Sequence, residues 1–275
     1  MITATGTPVL VGTDGSVAAL HVVEAAAVEA LQRHRSLRIL YVTPPGPDAG
    51  QAARVVAQAA EHARKALPDA AITTAVVIGD LVTVLHDASR AAALLVLGES
   101  FRRAESTATL PARFAAGAAC PVLVVRGRLS PSGPVVAGVD TSPGGNAALR
   151  FAAAEADRRG IELVALHTWR ERVSTLLGDT APMSHEDWSC ELEHRRVLAE
   201  AVAALGGQYP GLRVWRQVRR GSARRLLADW SRGARLIVVG AYAGRGSGIA
   251  PLTSVSRFLV ERAACPVVVV PAPSR

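Results

Sequence analysis

The chain has 275 residues, room for about two domains at the usual ~100–200 residues each, and a composition of 49% hydrophobic but only 4% aromatic residues builds cores of Val, Leu, Ile and Ala, which suits parallel sheets under Ala-rich helices. The net charge of +8 comes almost wholly from arginine, with Lys65 the single lysine; it permits anionic partners, but no zinc-finger, RNA-recognition or basic-zipper pattern accompanies it, and nucleic acid is not an expected partner. No apolar run approaches the ~18 residues of a membrane span, no signal-peptide pattern opens the chain, and Cys120, Cys190 and Cys265 make no disulfide framework, so a cytoplasmic protein with reduced thiols and no membrane contact is expected.

In chain order, residues 9–12 read as a short buried strand running into Asp14, Gly15 and Ser16. Ser16 or Asp14 can cap the helix expected over 17–32. A strand over 37–42 is broken by Pro44, Pro45, Gly46 and Pro47, and Ala-rich residues 51–67 are helical. A strand over 71–77 stops at Gly79 and Asp80, a helix covers 81–91, and a fourth strand, 94–97, ends at Gly98. The helix over 110–118 tolerates Pro111 because it lies in the first turn. Residues 122–125 are the fifth strand. The polar, turn-rich RGRLSPSGP segment then places a first domain at 1–127, a linker at 128–133 and a second domain at 134–275.

The second half repeats the order. A strand over 135–139 leads to Asp140, Thr141, Ser142 and Pro143; a helix covers 145–159 and a strand 163–167. A strand over 212–218 ends at Gly221, a helix covers 223–231, and a strand over 236–239 ends at Gly240. A loop with Gly244, Gly246 and Gly248 follows. Ser254, with Val255 behind it, stands where an N-cap would before the last helix, and 267–270 is a covered strand. Asp14 and Asp140 are 126 residues apart, Gly79 and Gly221 as well as Gly98 and Gly240 are 142 apart, and Cys120 and Cys265 are 145 apart. Such offsets describe a duplication, with 16 extra residues in or beside 171–191 and three more in the second glycine-rich loop.

Alternating strands and helices predict parallel sheets with right-handed crossovers. Ligands of such open sheets sit past the carboxyl ends of the strands, at the switch point. With strand order 3-2-1-4-5, Asp14 and Gly98 are neighbours there, as are Asp140 and Gly240. A small-residue loop feeding a helix N-terminus offers main-chain N–H groups to a phosphate. The bland readings are turns for the glycines and helix caps for the aspartates. His185, Glu186, Asp187 and His194 do not share one helix face, and no metal is expected. Trp169, Met183 and Trp188 read as a satellite core or a lid, and Cys120 and Cys265 as packed thiols. The dense arginines of 213–225 read as a solvated edge strand and helix start.

The segments VGTDGS (11–16) and AGVDTSP (137–143), the strands ending in Gly98 and Gly240, and the terminal ACPVLVV and ACPVVVV resemble the universal stress protein family in its tandem two-domain form, over nearly the whole chain. The resemblance implies two Rossmann-like α/β domains, each an open five-stranded parallel sheet of order 3-2-1-4-5 with helices on both faces. It also implies a non-enzymatic stress-response module, a pseudo-twofold pairing of the halves through their last strands, and in many members adenine-nucleotide (ATP) binding; whether the whole chain pairs further as a homodimer stays open. In such members an aspartate after strand one lies at the ribose and adenine, a main-chain contact after strand two holds adenine, and a Gly-x-x-Gly loop ending nine residues later in Gly-Ser or Gly-Thr holds phosphates.

Carried onto the second half, the nucleotide positions are Asp140, Thr168, Gly240, Ala243, Thr253 and Ser254. Ala243 and Thr253 replace glycines; Thr253 is β-branched and suits a positive φ poorly, while Gly244 can re-form the turn and Arg245 can add a phosphate contact. In the first half the positions are Asp14, Val42 and Gly98. The departures are larger there: Phe101 crowds the phosphate approach, Glu99 and Glu105 repel it, Arg102 and Arg103 oppose that repulsion, and Ala108 and Thr109 stand at the Gly-Ser place. An adenine nucleotide is therefore expected in the second half if in either. A ligand-free interaction protein with both sites decayed stays open beside this reading. A slow ATPase ranks third, because no residue stands out as a base and no nucleophile elbow or Walker loop occurs.

Overall fold

The computed structural model describes residues 6–43, 46, 49–66, 68, 71–99, 110–127, 132–169, 185–241 and 252–273. The chain divides into two compact units, the first built on residues up to Arg126 and the second on residues from Gly127. The first holds β1 (Val9–Thr13), α1 (Val17–Gln32), β2 (Leu37–Thr43), α2 (Ala49–Ala66), β3 (Ile72–Ile78), α3 (Leu81–Ser89), β4 (Leu94–Gly98), α4 (Leu110–Gly117) and β5 (Val122–Val125). The second holds β6 (Val135–Val139), α5 (Pro143–Arg159), β7 (Leu163–Trp169), α6 (His185–Ala203), β8 (Val214–Arg220), α7 (Ala223–Trp230), β9 (Leu236–Gly240), α8 (Ser254–Arg262) and β10 (Val267–Val270).

Each unit is a five-stranded parallel sheet. The first has the order β3-β2-β1-β4-β5 and the second β8-β7-β6-β9-β10, which is 3-2-1-4-5 in both. Register runs Val9↔Leu37 and Val9↔Leu94 around β1, and Val135↔Leu163 and Val135↔Leu236 around β6. The central strands are built mostly of Val, Leu and Ile because both faces are covered. Val9, Val11, Val96, Val136, Ile237 and Val267 are all fully buried. Alanines line the helix faces that lie on them: Ala26, Ala27 and Ala30 of α1 and Ala152, Ala153 and Ala156 of α5 have no exposed surface.

The duplication extends to polar details. Ser89 at the end of α3 gives its hydroxyl to the His86 carbonyl and accepts the Ala119 N–H at 2.9 Å. Ser231, 142 residues later, does the same with the Ala228 carbonyl and the Ala264 N–H at 2.8 Å. Each bond ties a helix end to the turn before a final strand. Glu29 with Arg33 in α1 and Glu155 with Arg159 in α5 form matching ion pairs one helical turn apart.

Several expected bounds shift. β8 begins at Val214 and runs to Arg220, so Arg219 and Arg220 lie in the strand. The segment counted as an insert ends inside a helix, since α6 starts at His185. The last helix is capped by Thr253 and not by Ser254: the Thr253 hydroxyl accepts the Ser256 N–H at 3.0 Å, and Ser254 is the first helical residue. Threonine at that position leaves serine free to begin the helix one residue later than the cap.

Candidate functional site

In the second unit the site is built from the carboxyl ends of β6, β7 and β9 and the start of α8. Beyond Val139 the chain turns through Asp140, whose Oδ1 accepts the Ser142 N–H at 3.0 Å and also the Ser142 hydroxyl. Ser142 in turn caps α5, accepting the Gly145 N–H at 3.0 Å, with Pro143 in the first turn. Asp140 is thus not itself the cap: it orients the cap and leaves Oδ2 without a partner among the described residues. It is exposed.

β9 reaches this turn by close main-chain approach. A Cβ on Gly240 would lie 2.4 Å from the Gly144 carbonyl, and one on Gly144 2.5 Å from the Ala241 carbonyl. A Cβ on Gly145 would overlap Asp140. Only glycine permits backbones this near. Sequence reading singled out Gly240 but not its partners Gly144 and Gly145.

The start of α8 is latched to the same point. The buried Ser256 hydroxyl donates to the Gly240 carbonyl at 2.8 Å, and the Thr253 and Ser256 hydroxyls meet at 2.8 Å. Thr253 has φ −59° and ψ 155°, so threonine replaces glycine here without strain. With the Ser256 N–H taken by Thr253, the N–H groups of Ser254 and Val255 are left without a partner among the described residues. These are the donors that a helix N-terminus presents to an anion.

Thr168 is the penultimate residue of β7. Leu163 donates to the Arg213 carbonyl and Gly221 to the Trp169 carbonyl, so odd-numbered residues of β7 turn their main chain toward β8 and even-numbered ones toward β6. The last β6 pair is Val139↔His167. The Thr168 carbonyl therefore points past the end of β6, beside the Asp140 turn.

Under that edge lies a cluster absent from the sequence expectations. His167 is buried and hydrogen-bonds through Nδ1 to the Val139 carbonyl at 2.8 Å, which makes Nδ1 the donor. Its Nε2 is 2.9 Å from Nδ1 of His194 in α6. Trp169 is stacked on His194, with ring centroids 5.5 Å apart and planes 20° from parallel. Burial, then the electrostatic influence of the neighbouring His167, holds the His194 imidazole below its ordinary pKa, with Glu193 opposing. No local motif announces partners 27 residues apart in sequence. Trp169 is a buried strand end and no part of a lid, and Met183 lies outside the described residues. Among the described residues no cluster of three His, Cys, Asp or Glu could hold a metal.

The first unit carries the same turn with a different surround. Asp14 Oδ1 accepts the Ser16 N–H at 3.0 Å, and Ser16 caps α1 by accepting from Ala19 at 3.2 Å. Val42 is the penultimate residue of β2, and Gly98 ends β4 against Val22, which would lie 2.8 Å from a Cβ there. Glu99 occupies the place of Ala241: each donates its N–H to the last residue of its final strand, Val125 or Val270. Arg126 pairs with Glu99 at 3.1 Å. Pro111 stands 145 residues before Ser256, and proline has neither the N–H for a cap nor the hydroxyl for a latch. Ala243, Gly244 and Arg245, like Phe101, Arg102, Arg103, Glu105, Ala108 and Thr109, lie outside the described residues.

Two open parallel sheets of order 3-2-1-4-5, each with an aspartate turn facing a glycine strand end at its switch point, define a tandem α/β protein with Rossmann-like sites. The Universal stress protein family matches residues 7–126 and again residues 132–271. The chain belongs to that family. It is 31% identical to a universal stress protein of Mycolicibacterium smegmatis, over 97% of this chain and 98% of that one. It is also 31% identical to a Mycobacterium tuberculosis universal stress protein, over 95% and 94%. Among solved structures, a universal stress protein from Archaeoglobus fulgidus superposes with a TM-score of 0.66 at 18% identity, covering 98% of this chain and 97% of that one.

Proposed function

We propose that this chain is a cytoplasmic, non-enzymatic stress-response module that binds an adenine nucleotide, ATP or AMP, in its second unit. The observation that carries the reading is the pair of open N–H groups on Ser254 and Val255, latched to the end of β9 by the Ser256–Gly240 bond. The family resemblance, carried onto this chain, assigns the phosphate to this helix start. The Asp140 carboxylate suits the ribose and the Thr168 carbonyl the adenine amine, so three acceptors and donors face one place. Ala241 brings no charge where the first unit has the Glu99–Arg126 ion pair, and Ser256 stands where the first unit has Pro111. A carboxylate held by its own turn, a carbonyl and main-chain amides are groups suited to binding, which supports the non-enzymatic reading.

Mass spectrometry of the small molecule released from purified, heat-denatured protein tests this reading. About one adenine nucleotide per chain supports it. Two per chain would place a second site at Asp14 and Gly98. No nucleotide released, and none bound from millimolar ATP, would leave the ligand-free interaction protein as the reading.

A further inference from the structure

β8 is the outermost strand of the second unit's sheet, and among the described residues no strand pairs with its outer edge. It lies in a 28-residue stretch, 201–228, that contains six arginines and no acidic residue. We propose that this edge docks an extended acidic polypeptide segment, which joins the sheet as a further strand.

Three observations converge on that occupant. Strand alternation turns the main chain of 213, 215, 217, 219 and 221 toward β7, since the Arg213 carbonyl and the Gly221 N–H are bonded there. The N–H and C=O groups of Arg216, Val218 and Arg220 therefore face outward, at the spacing another polypeptide reads. Arginine side chains stand on both faces of the strand: Arg216 and Arg220 share the face of Val218, and Arg219 shares the opposite face with Trp215. Alternating acidic side chains of an added strand meet both faces, whereas a single phosphate backbone follows one track. Arg216 and Arg219 are exposed and have no ion-pair partner among the described residues, while Arg213 approaches Glu162 only at 3.8 Å. Trp215 is 54% exposed in the same strand and offers apolar cover to a cross-strand neighbour.

The charge is not a requirement of the fold. The matching edge strand of the first unit, β3, reads ITTAVVI and carries no charge at all. A general guard against edge pairing would be needed at both edges; arginine at one alone discriminates between partners. Like charge excludes a second copy of β8 from pairing with it.

The test is fluorescence anisotropy on the full chain with a labelled peptide of alternating glutamate and valine, as long as β8. Controls are the lysine–valine peptide, the glutamate–valine peptide N-methylated at alternate amides, and a single-stranded oligothymidylate. The glutamate–valine peptide is expected to bind, more tightly at low salt, and to weaken about tenfold or more in R216E/R219E. N-methylation, which keeps the charge but removes main-chain donors, is expected to abolish binding, as is lysine for glutamate. An acidic peptide that does not bind, an N-methylated peptide that binds equally well, or an oligothymidylate that binds more tightly than the peptide overturns the proposal. Both arginines are exposed on an edge, so the double variant is expected to fold, and its circular dichroism checks that.

Discussion

Threonine at position 253 stands at no conformational cost, because its φ is −59° and its hydroxyl caps the helix it precedes. The residue that reading by sequence marks as a defect is a working N-cap. The two aspartates resolve similarly: each accepts the N–H two residues on, and Ser16 and Ser142 do the capping. His194 leads to a pH prediction. The folded state holds His194 below its ordinary 6.5. Between those two values the unfolded chain binds more protons, so stability rises with pH there and is lost as pH falls below about 6.5. The midpoint of chemical denaturation should therefore drop between pH 7 and pH 5.5, and His194→Phe, which can keep the stack on Trp169, should flatten that slope; equal slopes would contradict the assignment. The thiols are ranked by surroundings. Burial pushes Cys120 up to about 12, Cys265 is buried, and Cys190 is exposed. Iodoacetamide at neutral pH should label Cys190 first, with the other two following only on unfolding; mass spectrometry of peptides reads the order, and early labelling of Cys120 would refute it.

At the scale of elements, strand ends and helix starts decide the site, and their variants separate folding from binding. Gly240→Val would drive a side chain into the Gly144 main chain. It should destabilise the protein by on the order of 3 kcal/mol and is for that reason a poor test of ligand contact. Ser256→Ala removes the donor to the Gly240 carbonyl and should cost about 1–2 kcal/mol in chemical denaturation; an unchanged midpoint would mean the latch bears no load. The strands were legible because fully covered parallel strands are unbroken apolar runs bounded by glycine and proline. α6 is not: its sequence, 185–203, mixes charged and apolar residues without a clear apolar stripe, and the 171–191 region assigned to the extra residues overlaps its first turns. The two-residue slip at β8 has a similar cause. An edge strand needs no apolar alternation on its exposed side, so WRQVRR gives little period to follow. Gly144 and Gly145 were passed over because they resemble ordinary helix-start residues, and only the packed β9 reveals why a side chain fails there.

Across the whole molecule, two copies of one architecture have taken different surfaces. The duplication is legible from offsets that hold over more than a hundred residues, since independent drift would not preserve them, whereas the family and the strand order rest on the resemblance carried by the aspartate turns, the glycine strand ends and the ACPV segments. The residues that repeat, Asp14 with Asp140 and Gly98 with Gly240, stand out by their offsets; the Ser256–Gly240 latch has no such signal, because Pro111 stands at the matching place in the first unit. Pro111 marks the first unit as the copy less suited to phosphate. The most direct measurement is a calorimetric titration of ATP into the full chain and into its Ser254→Pro variant. Proline is favoured at the first helical position, and Thr253, extended at φ −59° and ψ 155°, suits the residue before it, so the variant should melt as the parent does while lacking one phosphate donor. One ATP per chain, weakened about tenfold by Ser254→Pro, is the predicted result. ATP binding that Ser254→Pro leaves untouched, or no binding to either protein, would contradict a nucleotide held at the start of α8.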